Sequence, residues 1–373
     1  NRGEVPFVEP GFGELLKRVV DEGLLVAQAE QTVADAYIVC VPTPFADGYK
    51  VDKRFIYSAA EAMAPYLRPG ALVVLESTSP PGTTRDLAEY IVALRPDLTL
   101  DDDADNAIFV AHCPERVLPG QIMEEMESND RVVGGLTPRG TEKATSLYRL
   151  FCTAELLQTD ATTAEMAKLT ENSFRDVNIA FANELSLISD KLGIDVWELI
   201  ELANHHPRVN ILQPGPGVGG HCIAVDPWFI VSSAPEEAKI IELARKVNNG
   251  KPDWVIGKVE AALSELDNPV TATLGISFKS DIDDLRESPS LEIVKRLGIE
   301  NPQMDIRVVE PNIAELPDSL SGMENVSLQD LEMALSAADL VLLLVDHKEF
   351  KALDRARLEG KIVIDTRGVW RER

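Results

Sequence analysis

Short, continuous apolar runs that each end in a polar loop are the feature that most constrains the fold of this chain. Three of them lie at residues 36–41, 71–76 and 107–111, with helical patterns between them. Runs of this length without polar alternation are typical of strands buried on both faces of a parallel sheet. Ligands of open α/β sheets bind beyond the carboxyl ends of the strands, so we expect a binding site in the loops that follow these runs.

The remainder of the chain divides into a helical middle and a second α/β segment. Helix-like spacing of apolar residues extends from about 162 to 202, and again from about 235 to 266, as in a core or a subunit interface. Further strands are predicted at 271–278, 306–309, 339–345 and 361–365. We therefore predict an α/β protein with two Rossmann-like lobes, at 1–155 and 267–373, joined by a helical central dimerisation domain at 156–266.

Composition excludes several classes of protein. The 373 residues are 45% hydrophobic, and no apolar run approaches the roughly 20 residues that span a bilayer. The amino-terminal residues lack a signal-peptide pattern. The four cysteines are widely spaced without a CxxC pair, and the five histidines form no ligand cluster. We therefore expect no metal site, no disulfide framework and a reducing cytoplasmic location.

The charge balance bears on possible partners. A net charge of -26 disfavours nucleic acid, because phosphate repulsion would have to be overcome locally. A solvated acidic surface, as in an adaptation to high salt, is the simplest reading of this composition. An anionic substrate would need a local basic pocket, which makes individual arginines and lysines more informative than usual.

One glycine-rich segment points to covalent chemistry. Cys222 follows Gly219-Gly220-His221, and Asp226 comes four residues later, on the same face if a helical turn forms. Glycine allows the cysteine backbone a close approach to substrate, and a thiolate there would act as a nucleophile. The alternative is a buried structural cysteine after a glycine turn. A Cys-His hydrolase pair with His221 is disfavoured, because neighbouring side chains rarely project to one point.

The same segment contains a motif that has the spacing of a phosphate-binding loop but lacks its structural context. Residues 215–220 read GxGxxG, but neither a strand before them nor a helix-opening pattern after them is predicted. We expect these glycines to make room around Cys222 instead. No glycine-rich phosphate loop is present in residues 1–35 either, and truncation of the chain at its front is the simplest explanation.

Five segments together resemble the nucleotide-sugar dehydrogenases of the UDP-glucose/GDP-mannose dehydrogenase family, along essentially the whole chain. These segments are VPTP at 41–44, ESTSPPGTT at 76–84, KLTEN at 168–172, GVGGHC at 217–222 and FKSDIDDLRESP at 278–289. Residues 112–120 and 206–210 are similar to members that act on UDP-N-acetyl-D-mannosamine. The resemblance implies oxidation of a sugar C6 alcohol to a carboxylate with two NAD molecules.

The resemblance also implies roles for catalytic residues. Cys222 would form a thiohemiacetal and then a thioester, and Lys168 would assist alcohol deprotonation and stabilise the oxyanion. Asn172 would donate a second hydrogen bond. Asp226 would hold the lysine or position water, and Glu115 would be the base for thioester hydrolysis, with a plain surface carboxylate as its alternative reading.

Binding roles follow from the same match. A diphosphate needs cationic partners, and several of the residues expected to bind the substrate are arginines or lysines. The residues expected to bind the substrate are Arg116, Val117, Lys168, Asn172, Arg175, His206, Arg208, Gly219, Phe278, Lys279 and Arg367. Thr43, Thr78 and Arg286 are expected to bind NAD. The lobe at 1–155 would bind NAD and the lobe at 267–373 the UDP-sugar, in a homodimer in which Arg208 reaches the partner's active site.

Three alternatives stay open at this point. The same chemistry would apply to UDP-glucose or UDP-N-acetylglucosamine. A catalytically silent UDP-sugar-binding protein would explain the absence of the usual NAD loop. Aldehyde dehydrogenase-like use of Cys222 on free aldehydes would leave the arginine-rich pocket unexplained.

Overall fold

The computed structural model describes residues 2–5, 9–117, 120–220 and 222–371. The chain forms two compact units. The first comprises Asn1–Glu171 and Trp228–Glu237, and the second comprises Asn172–Pro227 and Ala238–Arg373.

The first unit is built on a five-stranded sheet. Its strands are β1 (Ala36–Val39), β2 (Leu72–Leu75), β3 (Phe109–His112), β4 (Arg131–Gly135) and β5 (Leu156–Asp160), in that spatial order. The pairs β1–β2, β2–β3 and β4–β5 are parallel, and β3–β4 is antiparallel. The three runs predicted from the sequence are thus neighbouring parallel strands, and the loops after them lie at one edge of the sheet.

Helices cover both faces of this sheet. These are α2 (Arg54–Met63), α3 (Thr83–Leu94) and α5 (Pro138–Tyr148), while α1 (Phe12–Asp21) and α4 (Ile122–Ser128) bury none of their residues. Alternate residues of β2 belong to different cores: Val73 packs with Leu87 of α3, and Val74 packs with Ala144 of α5. Because both faces are buried, the strand has no polar alternation, which is the pattern that the sequence displays.

Four helices form the middle of the chain: α6 (Ala161–Leu192), α7 (Val196–Asn204), α8 (Asp226–Ser233) and α9 (Lys239–Leu263). The helical pattern predicted from about 162 to 202 is divided at Gly193, whose φ of 70° is left-handed and ends α6. Helix α6 begins in the first unit and continues into the second.

The second unit contains a fully parallel sheet. Its strands are β6 (Val270–Leu274), β7 (Asp305–Val309), β8 (Val326–Leu328), β9 (Leu340–Leu343) and β10 (Ile362–Asp365), in the order β10-β9-β6-β7-β8. Helices α10 (Pro289–Glu300), α11 (Asp318–Ser321), α12 (Leu331–Ala337) and α13 (Lys348–Lys351) follow individual strands. The strand order reverses between β6 and β9, and ligands of doubly wound sheets bind at such a switch point.

The predicted α/β class with two Rossmann-like sheets and a helical middle is confirmed. The predicted strand at 271–278 is shorter, because β6 ends before Gly275, whose φ is +87°. The criterion of continuous apolar runs missed β4, β5 and β8, of which β4 begins with Arg131 and β5 ends in Gln-Thr-Asp. Among the described residues, no helix combines the length and the apolar character needed to cross a membrane.

Candidate active site

The glycine segment before Cys222 accommodates backbone and an aromatic ring. A Cβ on Gly219 would lie 2.3 Å from the carbonyl oxygen of Glu287. Gly220 has a φ of +85°, and a Cβ there would lie 3.1 Å from the ring of Phe278. Neither strand nor helix occurs in residues 210–220. These glycines therefore permit close packing ahead of Cys222, in agreement with the prediction that residues 215–220 are not a phosphate loop.

Cys222 lies at the start of a helical turn that leads into α8. The amide of Asp226 donates to the carbonyl oxygen of Cys222 at 2.8 Å, so the expected i, i+4 relation holds. The side-chain amide of Asn172 donates to Asp226 Oδ2 at 2.6 Å. Asn172 and Asp226 are both buried, whereas Cys222 is exposed. Three of the predicted catalytic residues are therefore brought together, while His221 lies outside the described residues.

The other three cysteines are poorer candidates for a nucleophile. Partial burial of its thiol and the adjacent carboxylate of Glu76 raise the pKa of Cys40 to about 12. Burial raises the pKa of Cys113 to about 12 as well. Cys152 is 1% exposed, and a buried thiol is inaccessible to a substrate carbon. Cys222 is the cysteine best placed for covalent chemistry.

The second unit presents several of the predicted substrate-binding cations. Arg175, Arg208 and Lys279 are exposed and make no ion pair within the described parts of the chain. The backbone amide of Arg208 donates to Nδ1 of His206, which is also exposed. Unpaired exposed cations are available to bind an anionic ligand.

Two further predicted arginines are already engaged. Arg367 forms an ion pair with Asp346 at 3.0 Å, and a Cβ on Gly215 would lie 2.6 Å from its Nη1 atom. Its guanidinium therefore lies directly on the glycine segment. Arg286, the predicted NAD contact, pairs with Asp284 at 2.6 Å.

In the first unit, the two threonines predicted to bind NAD come together. Thr43 Oγ1 donates to the carbonyl oxygen of Thr78 at 2.8 Å, which joins the loops after β1 and β2. The amino terminus of α3 would be the nearest phosphate site, but Glu165 accepts hydrogen bonds there from the amides of Gly82 and Thr84. The two threonines are therefore adjacent, and because the Glu165 carboxylate occupies the amino terminus of α3, a phosphate would have to be held elsewhere.

Glu115 is held in place by its own loop. Its Oε1 accepts hydrogen bonds from the amides of Arg116 and Val117, at 2.6 and 3.0 Å, and its Oε2 accepts one from Arg131 at 3.0 Å. The guanidinium of Arg116 donates to the Glu171 carboxylate and to the carbonyl oxygen of Asp130.

Leu118 and Pro119, at the end of the same loop, lie outside the described residues. Lys168 is half-buried on α6.

Sequence reasoning missed the buried group that supports this loop. Arg131 has a side chain only 4% exposed, and its guanidinium lies 5.3 Å from the centre of the Tyr148 ring. The Tyr148 hydroxyl donates to Glu76 at 3.0 Å. Arg131 stands at the first position of a strand that has no clear sequence signal. Nothing in the local pattern therefore marks it as a partner of Glu115.

Family models match almost the whole chain. The NAD binding domain of the UDP-glucose/GDP-mannose dehydrogenase family matches residues 1–152, its central domain matches 162–250, and its UDP binding domain matches 272–372.

Individual relatives agree with this match. A Ralstonia nicotianae protein named NDP-N-acetyl-D-galactosaminuronic acid dehydrogenase is 54% identical, over 99% of this chain and 87% of its own length. A Yersinia pestis protein named UDP-N-acetyl-D-mannosamine dehydrogenase is 52% identical, over 100% and 90%. The solved structure of UDP-D-ManNAc dehydrogenase from Pyrococcus horikoshii has a TM-score of 0.86 at 36% identity, covering 100% of this chain and 87% of that one.

The family resemblance, the oxidoreductase class and the cofactor predicted from the sequence are confirmed. The chain belongs to the UDP-glucose/GDP-mannose dehydrogenase family of NAD-dependent nucleotide-sugar dehydrogenases.

Proposed function

We propose that this protein oxidises the C6 alcohol of UDP-N-acetyl-D-mannosamine to the carboxylate of UDP-N-acetyl-D-mannosaminuronate through a Cys222 thioester. The observation that carries the proposal is the exposed Cys222 behind a glycine pair on which Phe278 packs, one turn from the buried Asp226–Asn172 pair. A nucleophile at the end of a glycine segment and next to a held carboxylate suits covalent capture of an aldehyde.

The proposed reaction proceeds through an aldehyde, a thiohemiacetal and a thioester. Lys168 assists removal of the alcohol proton and stabilises the developing oxyanion while the first hydride leaves C6. The Cys222 thiolate adds to the aldehyde carbon, and the thiohemiacetal becomes a thioester when its hydroxyl proton and the second hydride leave. Water then cleaves the C–S bond, which releases the carboxylate and restores the thiol. Thr43 and Thr78 would hold NAD, which would supply the hydride acceptor for each oxidation.

Two residues have narrower proposed roles. Asp226 accepts a hydrogen bond from Asn172, which supports a role in positioning water for the hydrolysis. Glu115 accepts three hydrogen bonds that hold its loop. Because Arg116 and Val117 are proposed to bind the substrate, these hydrogen bonds support a position of Glu115 beside the substrate. This position is in addition to its proposed role as a base.

The substrate assignment rests on motifs and relatives. Residues 112–120 and 206–210 are similar to UDP-N-acetyl-D-mannosamine dehydrogenases, and the Yersinia relative carries that name. The Ralstonia relative, named for an N-acetyl-D-galactosaminuronic acid, makes a nucleotide-linked N-acetylgalactosamine the second candidate. UDP-glucose and UDP-N-acetylglucosamine are the remaining alternatives.

We also propose that the protein is a cytoplasmic homodimer. In this proposal the domain at 1–155 binds NAD, the domain at 156–266 carries the catalytic residues and the dimer interface, and the domain at 267–373 binds the UDP-sugar. Phe174, Phe181 and Ile188 recur every seven residues on α6 and are 68%, 49% and 48% exposed. Repeated large apolar side chains on one helix face support an interface. A second copy would cover this stripe, and Arg208 would reach the partner's active site.

The test of function is the number of NADH molecules formed per UDP-N-acetyl-D-mannosamine consumed. Two NADH and one carboxylate are expected from the wild-type protein, and Cys222→Ala should form no acid. Cys152→Ala is the matched control, because it removes a buried thiol away from the glycine segment and should retain acid formation. Undiminished acid production by Cys222→Ala would refute the thioester mechanism. UDP-sugar binding without NADH from any of the candidate sugars would instead support the binding-protein alternative.

A further inference from the structure

A fully buried carboxylate anchors the loop after β6. Glu310, which follows β7, accepts hydrogen bonds at Oε2 from the amides of Ile276 and Ser277, at 2.8 and 3.2 Å. Burial alone would raise the pKa of Glu310, but hydrogen bonds from His347 and from the Ile276 amide outweigh it and hold the pKa below its ordinary value. The start of the loop, at Ile276 and Ser277, is thus fixed to an ionised group.

A buried histidine holds the other end of the same loop. His347, which follows β9, is 0% exposed, and its Nδ1 accepts a hydrogen bond from the amide of Asp281 at 2.9 Å. Because Nδ1 is an acceptor, the proton of the neutral ring lies on Nε2. Nε2 is 3.1 Å from the Glu310 carboxylate and 3.3 Å from Ser277 Oγ. One imidazole therefore links Asp281 to Glu310 across the loop.

The loop that these two residues hold contacts the glycine segment of the site. It carries Phe278, whose ring packs on Gly220, and Lys279, which is exposed. Ser277 Oγ donates to the carbonyl oxygen of Lys279 at 2.8 Å, so the internal geometry of the loop depends on the same buried group. The loop lies at the switch point between β6 and β9, where a doubly wound sheet binds its ligand.

We infer that His347, acting with Glu310, is a positioning residue that preorganises the Phe278–Lys279 loop for the nucleotide-sugar diphosphate. This rests on the proposed function of the second unit in UDP-sugar binding. His347 is too buried to touch a ligand itself, and its contribution is the ordering of Lys279 before binding. A loop that is already ordered does not lose conformational freedom when the ligand arrives, and its affinity is higher for that reason.

The test measures binding of UDP, which does not depend on NAD, by titration calorimetry on the whole protein. His347→Leu keeps an apolar volume but has no acceptor for the Asp281 amide and no donor for Glu310. It should bind UDP about tenfold more weakly. His347→Gln offers both an acceptor and a donor and should restore most of the affinity. In turnover, His347→Leu should raise KM for the UDP-sugar and leave KM for NAD unchanged.

A stability control separates positioning from a general loss of folding. Leu320→Ala, on α11 beside β8, empties a fully buried position in the same unit and should leave UDP affinity unchanged. Equal weakening by His347→Leu and Leu320→Ala, or wild-type affinity in His347→Leu, would overturn the inference while the proposed function stands. Absence of UDP binding by the wild-type protein would overturn the proposed function, and the inference with it.

Discussion

A buried lysine between α6 and α9 should reduce the stability of the protein at neutral pH. Lys251 is 2% exposed, its Nζ donates to Ser186 Oγ at 2.6 Å, and the ammonium lies 3.7 Å from the centre of the Trp254 ring. Burial lowers the pKa of Lys251 from 10.5 to about 7, and the attraction of Asp190 offsets only part of this. The fold therefore tolerates the charge poorly at this position.

The sign and size of the effect follow from proton linkage. Between about pH 7 and pH 10.5 the unfolded chain keeps the proton that the folded chain releases, so stability rises with pH across this window. The fall of the pKa from 10.5 to about 7 corresponds to about 5 kcal/mol for the fully charged lysine, at about 1.4 kcal/mol per pH unit, and to about 4 kcal/mol at neutral pH, where the folded chain has already released part of the proton. The hydrogen bond to Ser186 and the cation–π contact return about 2 kcal/mol of this.

Lys251→Met should therefore stabilise the protein by about 2 kcal/mol at neutral pH, because it keeps the length of the side chain and removes the buried charge. The assay is urea unfolding at about pH 7 and about pH 9.5, and the variant should lack the rise in stability that the wild-type protein gains over this interval. Lys258→Met is the matched control. Lys258 lies on the same helix and near the same Trp254 ring, but its side chain is 41% exposed and pairs with Asp190.

The control should change stability by less than about 1 kcal/mol, as for other exposed ion pairs. Destabilisation by Lys251→Met at neutral pH, or an unchanged pH dependence, would refute the reasoning.

Two further substitutions test the contacts around the site. Glu165→Gln would set an amide N–H against the amide of Gly82 and should cost about 1 to 3 kcal/mol in chemical unfolding. The exposed control Glu142→Gln should be neutral within about 0.5 kcal/mol, and equal effects would contradict the role of the buried carboxylate at α3. Gly219→Ala places a Cβ 2.3 Å from a backbone oxygen and should abolish UDP binding or lower the melting temperature. Gly250→Ala, in open space on α9, should slightly stabilise the protein, and similar behaviour of both alanine variants would contradict the close-packing argument.

The regular part of the fold was predictable because it is encoded locally. Strands buried on both faces need unbroken apolar runs, and β2 and β9 have them at 72–75 and 340–343. Strands β4 and β5 were not predictable in this way. Charged Arg131 is tolerated because the Glu115 carboxylate and the Tyr148 ring are its partners, and the polar end of β5 is tolerated because it is largely exposed.

Part of the candidate site was also predictable from the sequence, and part of it was not. Cys222 and Asp226 were identified from the glycine pair and their four-residue spacing, and Asn172 was identified from the resemblance of the KLTEN segment to the family. The structure then placed the Asn172 side chain on Asp226 at 2.6 Å. Their separation of 54 residues is one that local periodicity does not encode.

What the sequence determined by itself is the class of fold, the family and the cysteine that we propose as the nucleophile, because each depends on residue types at short spacing. What only the tertiary structure decided is which buried polar groups hold the site. Glu165 occupies the amino terminus of α3, Arg131 holds Glu115, and His347 joins Glu310 to the loop of Lys279. The physical reason is that a buried polar group must find a partner wherever folding brings one, and the partner's position along the chain leaves no local pattern.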